Sequence, residues 1–132
     1  MPGSEETLDP DTVYGAVGGM PFFERLVDAF YDRVERDEPL VALYPDKHDL
    51  GPARMRLRLF LAQYWGGPTT YSDQRGHPRL RMRHVPFAID ADARDRWLAA
   101  MNGALDEVAP PAEVDAAMRD YFAMAADAMR NR

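Results

Sequence analysis

The stretch "RGHPRLRMRH" at residues 75–84 holds four arginines and two of the chain's three histidines, although the formal net charge is -6. Imidazole and guanidinium gathered this way fit several chemistries. Zinc would need three or four nitrogen, sulfur or carboxylate ligands. His48, His77 and His84 have no i, i+3 or i+4 pairing, and the chain has no cysteine to complete a set. Nucleic acid would place the arginines on phosphates, but the patch is a short proline-bounded helix without interleaved aromatics, in an otherwise acidic chain. Haem is the third chemistry. Its iron needs one proximal protein ligand, so a lone inward histidine suffices, and its propionates take arginine, histidine or tyrosine at a pocket mouth. An ordinary explanation stands beside these: a histidine near a helix C-terminus favours the helix dipole, and a core histidine can be held by hydrogen bonds.

The elements that must position these side chains read as helices, with apolar residues at helical spacing and no strand alternation. Gly18-Gly19 stop a short helix over 13–17. Pro21 suits the first turn of the next helix, whose apolar face is Phe23, Leu26, Val27, Phe30, Tyr31 and Val34. "DEPLVALYP" reads as one helical turn bounded by Pro39 and Pro45. Pro52 opens a helix with Ala53, Leu57, Phe60, Leu61 and Tyr64 on one side, ended by Gly66-Gly67-Pro68. A polar loop is expected from there to His77, then a short helix from Pro78 on which Leu80 and His84 share a face. Asp90 is the expected N-cap of the following helix, with Trp97, Met101, Ala104, Leu105 and Val108 on its face. Pro110-Pro111 separate it from a last helix carrying Val114, Met118, Tyr121, Phe122, Ala125 and Met129. The fold class is all-α, with about five substantial or partial helices.

Composition narrows the function classes. The chain has 132 residues, 46% of them hydrophobic and 29% charged, which is ordinary for a globular protein and enough to bury a core. A sequence pI near 5.0 argues against nucleic acid as a partner of the whole surface. No apolar stretch approaches the length of a membrane span. The acidic start, "MPGSEETLDPDT", lacks the character of a signal peptide and reads as a disordered tail over 1–12, ahead of one domain over 13–132. Together with the missing cysteine, this suits a cytoplasmic protein.

The run "FLAQYWGGPTTYSDQRGHPRLRMRHVPFAI" (60–89), followed by "RDRWL" (94–98), resembles the truncated haemoglobins of the second group, the two-over-two globins of bacteria. "YGAVGG", "FYDRV" and "LYP" at 43–45 fit the same family, and the similarity extends over nearly all of 13–130. One departure is that "YPDKHDL" is about one residue longer than the group's pattern, between Tyr44 and Ala53.

The resemblance implies a shortened globin fold, a two-over-two helical sandwich around haem b (iron protoporphyrin IX). It implies His84 as the proximal iron ligand, with Tyr31, Tyr44 and Trp97 as a polar distal set, and Leu57 and Phe60 as apolar walls. Ala53 stands where other globins put a distal histidine or glutamine. Arg56, His77 and Arg83 are the candidates for the propionate side, and Tyr71, Met82 and Phe87 complete the cofactor-binding set. The implied ligands are dioxygen, carbon monoxide, nitric oxide or sulfide at a five-coordinate iron. Several donors around one ligand favour ligand activation or redox chemistry, of a nitric oxide dioxygenase-like or peroxidase-like kind, with a reductase as candidate partner. Oxygen storage or transport, and a non-catalytic sensor module, are the alternatives. The chain would be a monomer or homodimer.

Overall fold

The computed structural model describes residues 8–76 and 89–131. Among these, all regular structure is helical: α1 (Val13–Ala16), α2 (Met20–Glu35), α3 (Glu38–Val41), α4 (Gly51–Tyr64), α5 (Thr70–Arg75), α6 (Ala91–Val108) and α7 (Ala112–Met129). The helix expected from Pro78 lies outside the described residues, as do His77, Met82, Arg83, His84 and Phe87.

Local chemistry sets the helix ends. Thr12 caps α1 by accepting from Gly15 N–H at 3.0 Å, Asp37 caps α3 through Leu40 N–H, and Asp90 caps α6 through Ala93 N–H at 2.8 Å. Pro21, Pro39 and Pro52 each sit in a first turn, where a missing N–H costs nothing.

The core gathers on α2. Its expected face is buried throughout, and Phe23, Leu26, Phe30 and Val34 keep no exposed surface. Each such side chain contributes about 1.5–3 kcal/mol on leaving water. α2 packs across α6 and beside α4, and α6 pairs with α7. Small side chains at Ala100 and Ala104 are buried beside Met101 and Leu105 on the α6 face. All of this is the all-α arrangement expected from the sequence.

One glycine of each pair faces the same ring. Tyr14 N–H donates to the Trp65 carbonyl at 2.9 Å, and Gly67 N–H to Ala62 O at 2.7 Å, folding the end of α4 over α1. A Cβ at Gly67 would lie 2.5 Å from Tyr14 Cδ2 and 2.8 Å from the Ala62 carbonyl. On the other side Gly19, at φ +85°, approaches the Tyr14 ring. The ring is stacked on Phe23 at 5.7 Å.

Three expectations from the sequence need correction. The stretch expected as a polar loop to His77 contains α5, because Gln63 clamps it: Gln63 Nε2 donates to Ser72 Oγ at 2.6 Å and its Oε1 accepts from Ser72 N–H at 3.0 Å. One buried residue, Tyr71, is all its apolar pattern shows. Tyr64 lies outside the buried face of α4, 49% exposed. Pro39 lies inside α3 rather than bounding it.

A partly buried arginine ties α4 to α2. Arg54 binds Asp28, Asp32 and Glu35 at 3.0, 3.1 and 2.7 Å. Burial opposes its charge, but the hydrogen bonds it donates to the three carboxylates outweigh that and raise its pKa.

Two substitutions test this framework. Gly67→Ala is expected to lower stability by about 1–3 kcal/mol, since neither the buried ring nor a backbone carbonyl can yield cheaply; a urea midpoint equal to wild type contradicts the clasp. Arg54→Ala is expected to cost about 1–2 kcal/mol, because exposed carboxylates limit each pair to under about 1 kcal/mol. That difference should shrink in high salt, as read from paired denaturation curves.

Candidate functional site

A cavity of about 520 Å³ opens between α2, α4, α6 and α7, with α3 and α5 at its edges. This is the size of a small-molecule or cofactor site. Tyr31, Leu40, Leu61, Ala93, Phe122 and Ala126 form its buried parts, and the exposed side chains of Arg56 and Arg75 mark the rim. Most of the lining is aliphatic or aromatic, with a few polar atoms converging from one side.

Among the polar side chains of the lining, Tyr31, Tyr44 and Trp97 form one group. Tyr31 comes from the core face of α2, buried against Phe30 at 4.9 Å and edge-on to Tyr44 at 5.7 Å. Trp97 stands on α6, held edge-on by Phe30 at 5.1 Å and tilted against Phe122 at 5.9 Å. Tyr44 follows α3, whose capped turn directs the chain back over α2. Burial pushes the Tyr31 phenol up to about 12, partly offset by Tyr44 acting as a hydrogen-bond donor toward it and by the positive charge of Arg56 and Arg54. Burial raises Tyr44 well above the usual phenol value; its interaction with Tyr31 raises it further, while the Trp97 indole lowers it. A donor stabilises the phenolate it faces and is itself made harder to ionise. The three side chains therefore interact as one group at the cavity. Both phenols stay protonated at neutral pH.

Arg54 reaches the same group from behind, its Cζ 5.7 Å from the Tyr31 ring centroid. Tyr31 is thus fixed by Phe30, Tyr44 and a guanidinium that three carboxylates hold in place.

The apolar side comes from α4 and α5. Ala53, Leu57 and Phe60 line the cavity from successive turns of α4. Phe60 meets the buried Tyr71 edge-on at 5.5 Å, which the Gln63 clamp on α5 makes possible. With Ala53 and Leu57 lining it, α4 offers the cavity no hydrogen-bond donor at those positions. The donors come from α2, the α3 corner and α6 instead.

Tyr31, Tyr44, Arg56, Leu57, Phe60, Tyr71 and Trp97, all singled out from the sequence, line this one cavity. His77, Met82, Arg83, His84 and Phe87 lie outside the described residues. Sequence reasoning missed Arg94, Ile89, Leu43, Met129 and Tyr121 as lining residues. Arg94 had a signal, since it precedes Trp97 by three positions and shares its helix face. Tyr121, Ala125 and Met129 follow one another at i, i+4 and i+8, a stripe read as core that instead faces the cavity. Ile89 had no local signal. It is placed by a reciprocal pair in which its N–H donates to Asn131 Oδ1 at 2.9 Å and its carbonyl accepts from Asn131 N–H at 2.8 Å.

The comparisons with known proteins agree with this geometry. The family model described as bacterial-like globin matches residues 12–131. The group 2 truncated hemoglobin YjbI of Bacillus subtilis is 40% identical over 101 residues, covering 76% of this chain and 74% of that protein. A thermostable hemoglobin from the actinobacterium Thermobifida fusca is 55% identical with a TM-score of 0.88, covering 91% of this chain and 97% of that one. The structure of a truncated oxygen-avid haemoglobin from Bacillus subtilis superposes with a TM-score of 0.85 at 36% identity, covering 91% and 99%. The chain belongs to the bacterial-like globin family, as a truncated haemoglobin of the second group.

Proposed function

We propose that this chain holds haem b on His84 and retains dioxygen and related diatomic ligands tightly, for ligand activation or redox chemistry rather than carriage. Membership of the family implies haem and a small ligand; the haem type, the ligand and the roles of individual residues are the proposal. Ferrous haem iron supplies reversible binding of small diatomic molecules.

The residues present fit such a group. The cavity is apolar over most of its lining, which suits a porphyrin plate, and its rim carries arginine, which suits propionates. Arg56 forms no ion pair with a described carboxylate and is exposed at that rim. Arg94 is otherwise occupied by Asp127 at 2.8 Å and Asp95 at 3.1 Å. Arg56, with His77 and Arg83, is therefore the proposed propionate side. Tyr71, Met82 and Phe87 are proposed to contact the porphyrin.

The observation that carries the proposal is the group of Tyr31, Tyr44 and Trp97 on a cavity that Ala53, Leu57 and Phe60 of α4 line with apolar side chains. Negative charge developing on a captured ligand is stabilised by such donors, and water is kept out by the walls. Several donors slow release, which disfavours a carrier. The relative whose structure is described as oxygen-avid shares this fold. An electron-donating reductase, and reactions of a nitric oxide dioxygenase-like or peroxidase-like kind, follow from retention of this type.

Absorption spectra of the ferric, ferrous and carbon monoxide forms test the proposal first. A Soret band that shifts at each step is expected, and its loss in His84→Ala with recovery on adding imidazole would fix the proximal ligand. A chain that takes up no haem refutes the reading. Trp97→Phe removes one donor worth about 1.4 kcal/mol, so dioxygen dissociation should accelerate roughly tenfold in stopped-flow measurements; an unchanged rate takes Trp97 out of the set. For Tyr31, the folded pKa near 12 exceeds the ordinary value of 10.0. The unfolded chain therefore loses this proton first, and stability falls as pH rises from 10 toward 12. On the carbon monoxide form, Tyr31→Phe should leave the phenolate absorbance unchanged below pH 10 and soften that alkaline loss. A phenolate signal lost below pH 10 would contradict the assignment.

A further inference from the structure

Tyr121 on α7 lines the cavity, while its ring stacks on Tyr64 of α4 at 4.2 Å between centroids and 30° between planes. Tyr64 is 49% exposed. Two phenols in van der Waals contact thus bridge the cavity and the solvent, with no other side chain between them. The Trp65 ring stands edge-on to both, 5.1 Å from Tyr64 and 5.6 Å from Tyr121. Its buried Nε1–H has no acceptor among the described residues.

From this juxtaposition we propose that Tyr121 and Tyr64 form an electron relay from the protein surface to the cavity, and that Tyr64 is the residue oxidised when hydrogen peroxide is reduced there. The inference rests on the haem reading above, since haem supplies the one-electron chemistry. It adds a route and a modification site that the diatomic-ligand reading does not require.

The chemistry favours Tyr64 as the end of the route. An oxidised phenol is a strong acid and must give up its proton to become a stable phenoxyl radical. Tyr64 meets water and can do so. Tyr121 is half-buried, and burial together with the neighbouring Tyr64 raises its pKa to about 12. Trp65 has no described acceptor for its N–H proton, so oxidation does not settle there either. An electron leaves Tyr64, passes through the Tyr121 ring into the cavity, and the Tyr64 proton goes to solvent. Hydrogen peroxide takes up two electrons and two protons and leaves as two waters. Two Tyr64 radicals from two chains then form one carbon–carbon bond between ring positions ortho to oxygen, and each ring regains aromaticity by moving that ortho hydrogen to its oxygen. The net reaction joins two Tyr64 phenols and reduces one hydrogen peroxide to two waters, so atoms and electrons balance.

The test uses the ferric haem-loaded chain with hydrogen peroxide, read by the Soret band, by dityrosine fluorescence, by covalent dimer on a denaturing gel and by peptide mapping of the link. A Tyr64–Tyr64 link is expected. Tyr64→Phe, at an exposed position, should abolish the link and leave the Soret response to peroxide in place. Tyr121→Phe keeps the stacked ring but removes the phenol that can be oxidised, and should slow formation of the link severalfold. A normal Soret response with no product at Tyr64 overturns the relay while leaving the haem reading intact. A Tyr64 link that forms at the wild-type rate in Tyr121→Phe overturns the role of Tyr121. A chain that binds no haem overturns both readings.

Discussion

Phe30 lies between α2 and α6 with no exposed surface, edge-on to Tyr31 at 4.9 Å and to Trp97 at 5.1 Å. The two helices that carry the donor groups therefore meet through one ring. Edge-to-face contacts of this kind are directional, and close-packed interiors do not deform continuously. The position of the Tyr31 hydroxyl relative to the Trp97 indole is thus set by the same packing that stabilises the fold. Tyr44 joins the pair because α3 is one capped turn, too short to carry the chain away from α2. Core and site share a single physical constraint.

Charge is organised around that constraint. The acidic surplus of the chain lies largely on helix surfaces, where carboxylates pair with arginines: Asp28, Asp32 and Glu35 with Arg54, Asp127 with Arg94, Asp37 and Asp92 with Arg96, Asp106 and Asp115 with Arg119. Most of these pairs contribute little to stability. Arg54 differs, because it takes three carboxylates and lies over the Tyr31 ring. A net negative protein thus places two guanidinium groups beside Tyr31, Arg54 behind the phenol and Arg56 at the rim. Both charges act on Tyr31 in the direction that eases its ionisation, yet burial outweighs them and the phenol remains a donor.

The glycine pairs show a different division of labour. Gly18-Gly19 and Gly66-Gly67 were legible as helix stops, since glycine punctuates helical patterns. Their common purpose was not. They are nearly fifty positions apart in the chain, and only the folded arrangement reveals that Gly19 and Gly67 lie against the same Tyr14 ring. The same applies to α5. "TYSDQR" has a single apolar residue and so no period to read, and its helix depends on Gln63, a residue of a different element.

The helical class, the buried face of α2, the caps at Asp90 and the proline starts followed from the sequence alone, because periodicity, capping and proline geometry are local properties. The stretch 60–89 with 94–98 carried the family resemblance, because a long motif is specific where a single histidine is not. Tyr31, Tyr44, Leu57, Phe60, Tyr71 and Trp97 could be named from it. Tertiary structure alone decided that these side chains surround one cavity and which further residues join them. Arg94, Ile89 and Tyr121 reach the cavity through the pairing of α6 with α7 and the Ile89–Asn131 bonds. Tyr64 likewise left the apolar face of α4 for the surface, where it stacks on Tyr121. Such contacts join residues distant in the chain, and no periodicity within one helix encodes them.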